Sequence, residues 1–197
     1  MPYSDLVRTV CHLCTALDGA YRVTIETPYG LLISVNADGS LTAALKDGTV
    51  QSATPGVDEE HKTRYKYRMF PDWGAGFIWY DPSWPGNPEG EFEVDEDDLE
   101  NRYPAVWLES YRGWKAKYEQ AFEEQKCDQG SDQDPFPDAG RRKAWVVEGM
   151  LLACWLSLQP DAESVEYQAA DVPTLIQNGS GGNILKSFIK TLEDYSF

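Results

Sequence analysis

A chain of 197 residues, 42% of them hydrophobic and 13% aromatic, can bury a core of its own without disulfides or a metal, which excludes a disordered or collagen-like polymer. Its 33 acidic residues against 17 basic ones leave a net charge of −16. A surface that negative repels nucleic-acid phosphates and anionic membranes and attracts basic partners at long range.

In chain order, "SDLVRTVCHLCTALDG" reads as an opening helix, capped by Ser4 or Asp5 and ended by Gly19. Leu6, Val10, Leu13 and Leu17 share one face at helical spacing, with Val7 and Cys14 beside them, so the helix should lie on a sheet. Four short β-branched runs follow, "AYRVTIE", "GLLISV", "SLTAAL" and "GTVQSA", separated by the turn chemistry of "TPYG", "NADG" and "KDG". They predict an antiparallel meander. "HKTRYKYRMF" alternates, placing Tyr65, Tyr67 and Met69 on a buried face and Arg64, Lys66, Arg68 and Phe70 on the other. "FIWY" reads as one more short strand. Eight of the twelve residues from Glu89 to Glu100 are acidic, a density expected to stay solvated in a loop or a frayed strand end. The basic face of the alternating strand is expected to pair with this run.

The second half turns helical. Pro104 suits a first helical turn, and the helix is predicted to run to about Lys126 with Trp107, Tyr111, Trp114, Tyr118 and Phe122 as a core stripe. "CDQGSDQDPFPDAG", residues 127–138 in its central part, reads as a mobile loop. Asp138 to Leu158 is predicted as a central helix, apolar nearly all round in its second half. Its most apolar window, Ala144–Leu158, holds a glutamate and falls short of the roughly 20 residues of a membrane span. "SVEY" is a short strand. "QNGSGGN" makes a flexible connection over residues 178–183 to a last amphipathic helix carrying Leu185, Phe188, Leu192 and Tyr195 on one face. The expected fold is one α+β domain over residues 1–197: an N-terminal helix, an antiparallel meander sheet, then helices packed on one face.

Signatures of chemistry are sparse. Cys11 and Cys14 have zinc-ligand spacing, but no second pair accompanies them and they sit on an apolar helix face, so core packing is the better reading. The four cysteines are scattered, which points to a reduced, cytoplasmic protein, and "MPYSDLVRTV" lacks the basic and apolar regions of a signal peptide. No nucleophile motif, P-loop, dinucleotide fingerprint or calcium loop is present in the sequence. The expectation is therefore a protein that is not an enzyme and takes no metal or cofactor.

What stands out is "MFPDWGAGFIWYDPSWPG" followed by the acidic run. Trp73, Trp79 and Trp84 would serve as aromatic anchors, and Glu91, Glu93, Asp95, Glu96, Asp97 and Asp98 would supply the field that steers a basic protein partner onto them. Asp72, Asp81 and Glu91 beside the same tryptophans allow an alternative, a carbohydrate-active enzyme or lectin in which rings stack on sugar faces over a carboxylate pair.

"FPDWGAGFIW", the acidic stretch ending in "DEDDLE", the helix bearing Trp114, and "DAGRRKAWVVEGMLLACW" followed by "ESVEY" resemble the small acidic immunity proteins of bacterial polymorphic toxin systems. The resemblance spans roughly Arg64 to Tyr167 and leaves out the N-terminal helix, the meander and the tail after Gln168. It implies a cytoplasmic, non-enzymatic protein that binds and blocks one toxin, and it assigns no contact residue.

Overall fold

The computed structural model describes residues 23–26, 30–35, 41–45, 48, 50–53, 65–72, 74–82, 92–125, 134–136, 138–168 and 174–177. The expected N-terminal helix, Trp73, Trp84, Glu91, the 178–183 connection and the last helix lie outside these residues.

The fold is α+β, with nine strands and three helices among the described residues. The first four runs form a sheet in the order β1 (Val23–Glu26), β2 (Leu31–Val35), β3 (Leu41–Leu45), β4 (Val50–Ala53), each strand antiparallel to the next. This is the predicted meander. Gly48, at φ 89, supplies the left-handed residue that the "KDG" turn between β3 and β4 requires.

The alternating strand does not extend that meander. β5 (Tyr65–Met69), β6 (Ile78–Pro82), β7 (Phe92–Glu93), β8 (Ala162–Tyr167) and β9 (Thr174–Gln177) form a separate sheet in the order β7-β6-β5-β8-β9. Its central pair, β5 and β8, is parallel, and its other pairs are antiparallel. A parallel pair needs a long crossover. Here β6, β7 and all three described helices lie between the two strands in sequence, which is why hairpin reasoning cannot anticipate the pairing. Tyr67 and Met69 are buried, Tyr65 is half-buried and Lys66 is exposed, as the alternation predicts.

The helices are α1 (Glu96–Arg102), α2 (Ala105–Gln125) and α3 (Ala139–Ser157). Pro104 stands just before α2, and the Asp138 side chain accepts from the Arg141 N–H at 2.8 Å to cap α3. Helix α3 packs against β8, β9 and α2 and also touches β2 of the first sheet. A helix met on so many sides must be apolar on all of them. Every residue from Lys143 to Ser157 is accordingly buried. The helices therefore do more than cover one face of one sheet: α2 and α3 each make contact with β2 as well, and buried residues of both sheets and all three helices join one core.

The α2 stripe is core, with Trp107, Tyr111, Trp114 and Phe122 buried and Tyr118 half-buried. Trp114 and Trp145 stack at 4.9 Å and 9°. Each indole N–H donates to the other residue's carbonyl, at 3.0 and 2.9 Å. The pair thus buries two large rings with both polar handles satisfied. At the same crossing, Lys117 Nζ donates to both carboxylate oxygens of buried Glu148, at 2.9 and 2.6 Å. The far end of the expected mobile loop is anchored: Phe136 is buried, 5.2 Å from the Trp145 ring and 6.1 Å from that of Tyr118.

Candidate functional site

The second sheet has a core face and an outer face, and register decides which residues share the outer one. Directly opposed residues run across all five strands as Glu93, Trp79, Arg68, Glu166 and Leu175. Opposed residues point the same way, so this row crosses the face away from Tyr67 and Met69. Leu175 stands out in it as the large hydrophobic residue that is 51% exposed.

Trp79 is half-buried. Phe70, from the end of β5, stacks on it at 5.7 Å and 16°, and its indole N–H donates to the Gly76 carbonyl at 3.1 Å. The intervening loop turns through Asp72–Ala75, closed by the Ala75 N–H donating to the Asp72 carbonyl at 3.1 Å. Gly74 takes φ 86 there, a conformation that L side chains adopt at a cost. Glu93 accepts a short hydrogen bond from the Gly76 N–H, so this carboxylate ties β7 to the loop as well as lying beside the Trp79 ring. Trp79 is thus a preorganised aromatic platform and not a loose side chain.

The acidic run is more ordered than its charge density predicts. Phe92 and Glu93 form β7, and Glu96–Arg102 form α1, so the expectation of a loop or frayed strand end is corrected. Three features make a helix affordable there. Asp95 is extended, at φ −64 and ψ 143, and its carbonyl accepts from the N–H groups of Asp98 and Leu99 at 3.1 Å. The acids Glu96, Asp97 and Asp98 occupy the first turn, where the helix dipole favours negative charge by roughly 0.3–1 kcal/mol each. Leu99 is buried and pins the helix to the core.

Cations hold part of this charge. Arg112 of α2 pairs with Glu96 at 3.6 Å and makes a short contact with Glu100, and Arg102 lies 4.0 Å from Asp98. Asp95 and Asp97 are exposed and form no ion pair among the described residues. Sequence proximity led to the expectation that the basic face of β5 pairs with the acidic run; the ion pairs of its described residues Lys66 and Arg68 run instead to β8. Lys66 pairs with Glu163 at 3.8 Å and Arg68 with Glu166 at 3.6 Å, both on β8. The parallel neighbour brings those glutamates alongside.

Behind α1, a polar cluster fixes the helix to the sheet. Tyr67 donates to Asp161 at 2.8 Å, Tyr103 donates to Tyr67 at 3.4 Å, and Arg102 lies 3.8 Å from Asp161. Burial pushes the Tyr67 and Tyr103 hydroxyls well above the ordinary phenol range, so both stay neutral donors.

Of the residues singled out from sequence, Trp79 falls on β6, Glu93 on β7, and Asp95, Glu96, Asp97 and Asp98 at the start of α1. Trp73, Trp84 and Glu91 lie outside the described residues. Phe70, Arg112 and Leu175 were missed. "PTLIQNG" does carry a strand-then-turn pattern that could have exposed Leu175, whereas the Arg112 contacts span from α2 back to α1 and leave no local signal. Comparison with protein-family models, with curated proteins and with solved structures yields no significant match to this chain.

Proposed function

We propose that this chain is a non-enzymatic acidic binding protein that neutralises a basic protein partner, as an immunity protein blocks a toxin. One observation carries the reading: Trp79 stacks on Phe70 and pairs across the strands with Glu93, and the chain leads from Glu93 into exposed acids, of which Asp95 and Asp97 have no described counter-ion. Exposed carboxylates without a counter-ion among the described residues, in the segment that follows the Trp79–Glu93 strand pair, suit electrostatic capture followed by desolvated aromatic contact. The whole-chain charge of −16 extends the attraction beyond the contact surface. The alternative, a carbohydrate-active enzyme or lectin, draws less support, because the Trp79 indole N–H, one of its ring faces and Glu93 are already engaged within the protein.

The test is capture from source-cell lysate on the immobilised chain at low salt, with an Asp95→Lys/Asp97→Lys variant in parallel. The reading expects a basic protein retained by the wild-type chain, released by a salt gradient and poorly retained by the variant. Its association rate should fall by about tenfold at low salt, with dissociation little changed. Equal retention by both baits would remove the acidic segment from the interface. Salt-insensitive retention on a polysaccharide matrix would favour the carbohydrate reading.

A further inference from the structure

Just before β6, the backbone of Gly76 and Phe77 is held group by group. The Phe77 N–H donates to the Tyr111 hydroxyl at 3.1 Å, and the Phe77 carbonyl accepts from the Phe70 N–H at 3.1 Å. The Gly76 carbonyl accepts from the Trp79 indole at 3.1 Å, and the Gly76 N–H donates to Glu93. Side chains from three elements thus grip two adjacent residues: Tyr111 from α2, Trp79 from β6 and Glu93 from β7. Gly76 is buried, so without the carboxylate its N–H would be left unsatisfied away from water. A Cβ at position 76 would lie 2.9 Å from the Glu93 Cγ, so the carboxylate reaches the backbone only because this position carries no side chain.

From sequence, Glu93 belongs with the acids that steer a partner. We propose that it acts instead as the positioning residue of the Trp79 platform. Glu93 and Trp79 are directly opposed on neighbouring strands, and both grip Gly76, the one through its N–H and the other through its carbonyl. Fixing the N–H fixes the orientation of the carbonyl that holds the indole. Phe70 takes one face of the ring at 5.7 Å, so the ring is set in one orientation before any partner arrives, which lowers the ordering cost of contact. The acids divide by role. Asp95 and Asp97, exposed and without an ion pair among the described residues, steer, whereas Glu93 holds the surface they steer toward. The functional consequence rests on the reading of Trp79 as a partner contact.

The test is hydrogen exchange followed by NMR on the isotope-labelled full chain. It is read at the amide of residue 76, at the Trp79 indole (assigned by its loss in Trp79→Phe) and at the Phe77 amide, whose bond to buried Tyr111 reports an intact core. Glu93→Ala removes both acceptor and charge. Glu93→Gln removes the charge but keeps an oxygen that can accept. Gly76→Ala pushes the intact carboxylate aside. These readouts need no partner, so failure to capture a basic protein would count against the binding reading alone. The expected result is exchange about tenfold or more faster at position 76 and at the Trp79 indole in both alanine variants, and within about twofold of wild type in Glu93→Gln, with Phe77 protected throughout. If Glu93→Ala also opens Phe77, Glu93→Asp, which shortens the side chain by a methylene, is read in the same way. Unchanged exchange in the alanine variants, or acceleration in Glu93→Gln as large as in Glu93→Ala, would each overturn the assignment.

Discussion

Gly149 marks a close approach between α3 and its neighbours. A Cβ there would lie 2.7 Å from the Trp114 ring and closer still to the Tyr167 hydroxyl, both of them fully buried. Alanine in a helix is intrinsically better than glycine by roughly 1 kcal/mol, but two large rings that cannot retreat reverse the sign. Gly149→Ala should destabilise the protein by about 1–3 kcal/mol in urea unfolding. A gain in stability would mean that the helix layer packs more loosely. Buried hydroxyls give a second prediction. Burial raises Tyr67, Tyr103 and Tyr111 above the phenol range, and raises the Cys154 thiol to about 12. In the unfolded chain these groups ionise near their ordinary values, about 10 for tyrosine and about 8.5 for cysteine. Above those values the unfolded state therefore holds fewer protons than the native one, and stability falls as pH rises. Each group contributes a slope of about 1.4 kcal/mol per pH unit. Urea midpoints should drop steeply from pH 9 to pH 11, and phenolate absorbance should show tyrosines that ionise only on unfolding. The aromatic stripe and its core role were legible because 3.6-residue spacing is written in the sequence. The proton chain from Tyr103 through Tyr67 to Asp161 was not, since its members come from three separated stretches joined by the fold.

Between elements, the α2–α3 crossing combines the reciprocal Trp114–Trp145 bonds with the Lys117–Glu148 pair. Glu148 is buried while Lys117 reaches it from the half-exposed side of α2. Removing Lys117 takes a cation away from a carboxylate in the core, so Lys117→Met should destabilise the protein, by up to about 3–5 kcal/mol. The double change Lys117→Met/Glu148→Leu should recover most of that loss or exceed wild-type stability, because the desolvation penalty disappears with the charge. A denaturation cycle over the four chains checks this, and additive losses would contradict it. Helices α2 and α3 could be read from the sequence because an aromatic stripe at helical spacing in the one and a long apolar run in the other coincide with clear starts at Pro104 and Asp138. Helix α1 could not. Acid density suggested a solvated coil, and the deciding influences were the helix dipole, the Leu99 anchor and the Arg112 clamp from a later helix. The sheets divide similarly. Local turns wrote out the first meander, whereas the parallel β5–β8 pair joins strands separated by the whole helical region. That pairing also redirected Lys66 and Arg68 to Glu163 and Glu166.

Over the whole molecule, acidic charge gathers at the β7 edge of the second sheet, where the outer row ends and α1 begins. The outer row ends at Glu93, and the chain continues from there into Asp95 and Asp97. At the opposite edge Leu175 stands exposed, about four strand spacings or roughly 19 Å away. A partner lying across this face would meet an apolar contact at the β9 edge, paired charges and Trp79 between, and Glu93 at the β7 edge, next to the chain that leads into Asp95 and Asp97. Leu175→Glu should leave thermal stability nearly unchanged, since the side chain is exposed. It should weaken partner binding mainly by faster dissociation, in contrast to the slower association expected of the Asp95→Lys/Asp97→Lys chain. The most direct test of the account is the salt dependence of association between the captured basic protein and these two chains beside wild type. The account predicts a steep fall in association rate with salt for wild type, flattened by the aspartate reversals and preserved by Leu175→Glu. Identical salt slopes and affinities for all three chains would contradict it, and would place the binding surface elsewhere on the molecule.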